Sequence, residues 1–216
     1  MVGGKHAPIG WLEARNHWLD GSEQPLVGSG KLTGKKLPVP DGNIDDFAVI
    51  VTKSDTGDGA SLALVELNQE AVIKNSVRTL DFSRGHVSIE FKGAEAEILG
   101  ADGSGWFAME SLMDRAAVMF AWEQVGIADA ALEQARDYAM GRYAFGRAIA
   151  SYQAIKHKLA DMYVKNTLAR SNCYYGAWAL NSDSSELALA AATARVGAIQ
   201  ASVNAAQENV QTHGGM

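Results

Sequence analysis

Cys173, the five histidines and the Gly-rich turns are the features of this chain with the most obvious chemical potential, so their spacing is the first test. His6, His17, His86, His157 and His213 show no metal-ligand spacing with one another or with Cys173. No zinc-type centre is expected from them. Cys173 stands mid-helix among Asn172, Tyr174 and Tyr175, with nothing nearby that would clearly lower its pKa, and reads as a structural thiol. His157 is flanked by Lys156 and Lys158 and reads as a surface residue. The chain has no phosphate-cradling loop of the Gly-x-x-x-x-Gly-Lys type, no Gly-x-Gly-x-x-Gly fingerprint and no Gly-x-Ser-x-Gly nucleophile elbow. Its five Trp and six Tyr are scattered, which suits packing better than a stacking platform for bases.

Composition narrows the class. The 216 residues carry 19 Lys and Arg against 25 Asp and Glu, a formal net charge of −6. That balance argues against a general nucleic-acid binder, which needs a basic stripe. A single cysteine excludes an internal disulfide framework and, with no apolar signal core in Met1 to Gly10, leads us to expect a reducing, cytoplasmic setting. No uncharged apolar run is long enough for a membrane span.

The elements that would position any site change character partway along. Residues 1–103 hold 14 of the 22 Gly, all four Pro and 9 Ala, whereas residues 104–216 hold 26 Ala, 8 Gly and no Pro. We therefore expect an α+β chain with a β domain over 1–103 and a helical domain over 104–216, divided near Gly100-Ala-Asp-Gly-Ser104. Asp46–Thr52, Ser61–Glu66 and His86–Phe91 read as strands, and Leu26-Val27 followed by Gly28–Gly34 as a hairpin, together an antiparallel sheet or barrel. Three long helices are expected over about Trp106–Met140, Ile149–Leu180 and Glu186–His213. Leu112, Met113, Ala116, Met119, Phe120 and Ile127 recur at helical spacing in the first helix, and Ile155, Leu159, Met162 and Leu168 lie on one stripe of the second. Long, Ala-rich, proline-free helices are bundle material.

Arg142-Tyr-Ala-Phe-Gly-Arg-Ala-Ile-Ala-Ser-Tyr-Gln153, followed by Leu159-Ala-Asp-Met162, resembles the R-x-x-F-G-x-x-[IL]-x-x-x-Q and L-A-D-M words of the acyl-CoA dehydrogenase family. Glu123–Leu132 is similar to the preceding helix of that family, and Val210-Gln-Thr-His-Gly-Gly215 to its A-x-Q-x-x-G-G segment. Gly30–Lys36 resembles a hairpin of its middle β domain, and Thr79–Arg84, His86–Phe91 and Glu95–Gly100 its later strands. The resemblance implies a middle β domain followed by an up-down bundle, here three helices of a four-helix bundle, in what reads as an internal fragment of a longer protein. It implies FAD as cofactor, an acyl-CoA substrate and an electron-transfer flavoprotein or similar acceptor.

The site residues follow from the resemblance. Arg142 would meet the FAD pyrophosphate with a planar multi-donor cation; an Arg facing a helix C-terminus is the alternative. Phe145 would pack beside the cofactor, or serve as ordinary core. Gln153 would contact the nucleotide end. Gln211, Gly214 and Gly215 would approach a neighbouring subunit's FAD, where Gly lets backbone come close to phosphate; a simple helix stop is the alternative. Asp114 and Arg115 would touch the CoA portion, or form an exposed ion pair.

Two departures bear on function. The family often carries Trp-x-Thr against the flavin ring, where this chain has Leu37-Pro38-Val39-Pro40 and so lacks two backbone donors. No catalytic carboxylate is matched: the position 29 residues before Phe145, where some relatives carry the base, is Ala116. The resemblance implies α,β-dehydrogenation of an acyl-CoA to the 2,3-enoyl-CoA, with a non-catalytic subunit of a mixed dehydrogenase as the alternative. Met113, Met119, Phe120, Trp122 and Tyr163 spread apolar surface around the helices, so a homo-oligomer is expected.

Overall fold

The computed structural model describes residues 9–10, 26–28, 30–54, 59–80 and 85–214. They form two compact units, one through Glu110 and one from Ser111.

The first unit is a barrel-like sheet of β1 (Ile9–Gly10), β2 (Leu26–Gly28), β3 (Lys31–Pro40), β4 (Phe47–Ser54), β5 (Ala60–Glu66), β6 (Val72–Val77) and β7 (His86–Leu99). Neighbours run β4-β2-β3-β7-β5, and β4 also pairs with β5, so the ladder returns on itself. Every pairing is antiparallel except β4 with β1 and with β2, which are parallel. Leu32, Ile50, Val65, Val87, Ile89 and Phe91 fill the interior. Lys36 is also fully buried there, a position that no sequence pattern marked.

Three strand expectations change. The hairpin at Leu26 forms, but its second arm continues to Pro40. The ladder to β7 slips between Lys36 and Val39, where Pro38 has no N–H to give. His86–Phe91 and Glu95–Gly100 are one strand rather than two. Gly93, at φ +75°, is the extra residue between Lys92 and Ala94, which pair with the adjacent Thr33 and Leu32. Such a bulge bends a strand without ending it, and beyond it the edge of β7 that held β6 pairs with β5 instead. Thr79 and Leu80 lie outside any strand, and residues 81–84 of that expected strand fall outside the described residues. β6 was not foreseen, because Lys74 and Asn75 interrupt its apolar pattern.

The second unit is built on α1 (Gly105–Gly141), whose residues through Glu110 belong to the first unit, α2 (Gln153–Asn181) and α3 (Leu187–His213), the expected up-down trio within a residue or a few at each end. Its interior is made of small residues: Ala121, Ala128, Ala135, Ala169, Ala194 and Ala198 pack around Val125, Met162 and Cys173. The apolar positions whose spacing marked α1 as a helix are not its inward face. Leu112, Met119, Phe120 and Ile127 are exposed, and the alanine face is inside. Where a helix carries apolar residues on more than one face, the small face wins because it lets backbones approach closely. In α2, Met162 is buried but Leu168 is exposed.

A short hairpin, β8 (Tyr143–Ala144) with β9 (Arg147–Ala148), and a 3₁₀ turn at Ile149–Ser151 join α1 to α2. Strand pairing inside the helical region departs from the expected helix-turn-helix. Among the described residues, no helix is long and apolar enough to cross a membrane.

Candidate functional site

The α1–α2 connection is a two-residue β-turn hairpin. Phe145 and Gly146 both adopt positive φ, +53° and +81°. A two-residue hairpin loop favours the type I′ turn, which requires that sign at both positions. Glycine adopts it freely, whereas a bulky aromatic is held there against its preference. The Phe145 ring is 99% exposed, so no core contact compensates. The hairpin thus displays a strained aromatic to solvent at its tip.

Local bonds fix this hairpin. The Arg142 N–H donates to the Tyr138 carbonyl at 2.8 Å, and the Arg142 carbonyl accepts from Ile149 N–H at 2.8 Å. Tyr152 donates its hydroxyl to the Ala144 carbonyl at 2.9 Å, while the Arg147 guanidinium lies 4.0 Å above its ring. Ser151 closes the 3₁₀ turn onto the Ala148 carbonyl at 2.7 Å. Tyr152 then begins α2, where Gln153 is the first helical residue and is exposed.

The up-down course brings the C-terminus of α3 to the same end. Tyr138 stacks on His213 with centroids 4.1 Å apart, and the His213 ring meets the Asn209 carbonyl at 2.9 Å. Asn209 donates to Gln134 across the two helices at 3.1 Å. Gly214 caps α3 at φ +77°, and a side chain there would meet nothing within 4 Å. Arg142, Phe145, Gln153, Gln211 and Gly214 therefore share one end of the three-helix unit. Gly215 lies outside the described residues.

Asp114 and Arg115 are elsewhere. They sit 28 and 27 residues before Arg142, near the start of α1, about 40 Å away at 1.5 Å per residue. Arg115 pairs with Asp183 at 3.1 Å, and both groups are largely exposed. That tie joins α1 to the α2–α3 loop and beside it runs a cleft lined by Leu112, Met119, Trp122 and Leu180.

The shared end can hold an anion. It offers the exposed side chain of Arg142, the N–H groups of the first turn of α2 with their partial positive charge, and an open glycine backbone. Tyr152, Arg147, Tyr138 and His213 were not singled out for this site by sequence reasoning. The adjacency of Tyr152 to Gln153 and of His213 to Gly214 was the available signal. Among the described residues, no group of three or more His, Cys, Asp and Glu could hold a metal.

Residues 103–216 match the family model of the acyl-CoA dehydrogenase C-terminal domain. An acyl-CoA dehydrogenase of Bacillus subtilis is 33% identical over 192 residues, covering 85% of this chain and 50% of the relative. The acyl-CoA dehydrogenase IpdE2 of Mycobacterium tuberculosis is 40% identical over 105 residues, 49% of this chain and 31% of the relative. The chain thus spans a third to a half of the length of these curated relatives. The butyryl-CoA dehydrogenase of Megasphaera elsdenii superposes with a TM-score of 0.90 at 22% identity, over 98% of this chain and 58% of that one, a likeness of fold.

Proposed function

The chain belongs to the acyl-CoA dehydrogenase family, and on that premise we propose that it forms the FAD-facing bundle end and middle β domain of an enzyme that converts an acyl-CoA thioester to its 2,3-enoyl-CoA. The observation that carries this reading is the convergence of Arg142, Gln153 and Gly214 on one end of the bundle, beside a hairpin that displays Phe145.

These residues fit a dinucleotide. Its pyrophosphate is a doubly anionic group with oxygens on both phosphorus atoms. The guanidinium of Arg142 presents several N–H donors in one plane, and the first turn of α2 adds backbone N–H groups. Gly214 leaves the α3 terminus open to close backbone approach, and Phe145 offers an apolar plate. FAD, when bound, supplies hydride acceptance from the β-carbon of the acyl group, and an electron-transfer flavoprotein or similar acceptor would take the electrons on. This chain's part is to bind and orient.

One position from which relatives take the α-proton is Ala116 here, which carries no acid. Together with the two missing N–H donors of Pro38 and Pro40 in β3, this favours a second reading, a subunit that supplies FAD-facing surface to an active partner.

The test is a flavin titration of the chain followed by fluorescence. FAD should bind, and Arg142→Ala should weaken it at least tenfold, since hydrogen bonds to charged groups are worth roughly 1.5–3 kcal/mol. Arg142→Lys should fall between, because an ammonium cannot reproduce the planar fork. Absence of binding, or an Arg142→Ala variant that binds as well as the parent, overturns the reading.

A further inference from the structure

The hairpin between α1 and α2 carries a second guanidinium besides that of Arg142. Ala144 pairs with Arg147 and Tyr143 with Ala148, and the Ile149 N–H bond to the Arg142 carbonyl extends the ladder by one more pair. Opposed residues of an antiparallel pair share a face, and side chains alternate along each strand. Arg142, Ala144, Arg147 and Ile149 therefore stand on one face of the hairpin, with Arg142 and Arg147 diagonal to each other. Diagonal neighbours lie roughly 7–8 Å apart, so two long side chains at that spacing can meet on one ligand.

The charge around them is not compensated. From Tyr138 to Ala160 the chain holds Arg142, Arg147, Lys156 and Lys158 and no carboxylate. Lys158 is paired with Glu208 of α3 at 2.7 Å. Among the described residues, the side chains of Arg142 and Arg147 form no ion pair and no hydrogen bond, and both are exposed. Two like charges on one small ribbon repel each other, and an anion that bridges them removes that repulsion.

Arg147 is also held in place. Its guanidinium lies 4.0 Å above the Tyr152 ring, and that ring is tied at its far end by the hydroxyl bond to the Ala144 carbonyl at 2.9 Å. A cation–π contact orients the guanidinium without using its N–H donors, whereas a carboxylate partner would have consumed them. One guanidinium serves a single phosphate. Two on one face suit a group that carries acceptor oxygens on two phosphorus atoms.

We propose that Arg147, positioned by the Tyr152 ring, is a second cation for the diphosphate of the dinucleotide and makes this face select two linked phosphates over one. The proposal rests on the flavin reading of the same hairpin. Calorimetric titration of the full chain with FAD, ADP and AMP tests the two separately. The parent should bind ADP more tightly than AMP. Arg147→Gln should weaken FAD and ADP by about tenfold or more, as expected for hydrogen bonds to a charged group, and AMP by less than about twofold, with an unchanged circular dichroism spectrum because the side chain is exposed. Tyr152→Leu removes the shelf and should lose as much as Arg147→Gln, and the double variant should lose no more than either alone. Tyr152→Phe keeps the ring and should keep the preference for ADP. Arg147-dependent binding of ADP by a chain that does not take up FAD would retain the diphosphate site and sink the flavin reading. FAD binding that weakens with Arg142→Ala but not with Arg147→Gln would leave the flavin reading standing and overturn this proposal. Equal losses for ADP and AMP, or no binding of either nucleotide, would overturn it as well.

Discussion

Tyr152 donates its hydroxyl to the carbonyl of Ala144 at 2.9 Å, so the residue that opens α2 also holds the strand leading to Phe145. Its ring meanwhile supports Arg147 on the returning strand at 4.0 Å. Tyr152→Phe removes the bond and keeps the ring. The expected loss is about 1 kcal/mol, the ordinary net worth of one hydrogen bond. Hydrogen exchange should place that loss in amides 143–149, with the middles of α1 and α3 unchanged. Equal acceleration throughout the helices would show instead that Tyr152 supports the whole unit.

Phe145 trades stability for display. A non-glycine residue in the left-handed region costs roughly 1–2 kcal/mol, and the ring, 99% exposed, recovers none of it by burial. Phe145→Gly should therefore leave the protein as stable or up to about 1 kcal/mol more stable, the glycine's greater unfolded-state freedom offsetting part of the gain. Under the flavin reading it should at the same time weaken FAD binding. Urea unfolding and flavin titration on one preparation check both signs; a destabilised variant would mean the ring packs against something in solution.

The division into strands and long helices was legible because composition tracks it: Gly and Pro punctuate the first half, and Ala extends uninterrupted through the second. The face of α1 was not legible. Leu112 and Phe120 satisfy a helical period as well as Ala121 and Ala128 do, and only three-dimensional packing decides between them. Gly93 misled for a related reason, since glycine ends strands and bulges them alike. The words around Arg142 and Gly214 were readable as motifs, and the expected up-down course puts them at one end; the Tyr138–His213 stack there, between residues 75 positions apart, was not foreseen. Nothing in the sequence separated the buried Lys36 from its neighbour Lys35.

Incubated with FAD and acyl-CoA, the 216-residue chain should form no measurable enoyl-CoA. General-base terms are typically worth roughly 10²–10⁴-fold, and the matched position holds Ala116. Product appearing in a mass-spectrometric assay would require a carboxylate of this chain to reach the α-proton, and would sink the non-catalytic reading as well.

Burial pushes the Cys173 thiol above its ordinary range, because the thiolate would lose its hydration inside the bundle. Above the pH at which an unfolded thiol ionises, the unfolded chain binds fewer protons than the folded one, so this group's contribution to stability is complete at neutral pH and falls as pH rises. Thiol reagents should label Cys173 at neutral pH only at the rate of opening, and promptly in denaturant. Fast labelling of the folded protein would place the sulfur at the surface.

Two glycines of α1 should respond oppositely to the same substitution. At Gly105 an added methyl would lie 2.5 Å from the Ser61 carbonyl carbon and 2.7 Å from the Leu62 nitrogen, both backbone atoms. The strand cannot yield locally. Ser61 is held by its hydroxyl, which bonds Asp102 at 2.5 Å and accepts from Gly103 N–H at 2.8 Å. Gly105→Ala must therefore displace β5 or the start of α1, at a cost of about 1–3 kcal/mol for overpacking. At Gly126, exposed in mid-helix, an added methyl meets nothing within 4 Å. Gly126→Ala gains helix propensity and loses unfolded-state freedom, which should stabilise by about 0.5–1 kcal/mol. Urea midpoints moving down for the first variant and up for the second are the expected pair. If Gly105→Ala left the midpoint where it was, the close approach of α1 to β5 would not hold in solution.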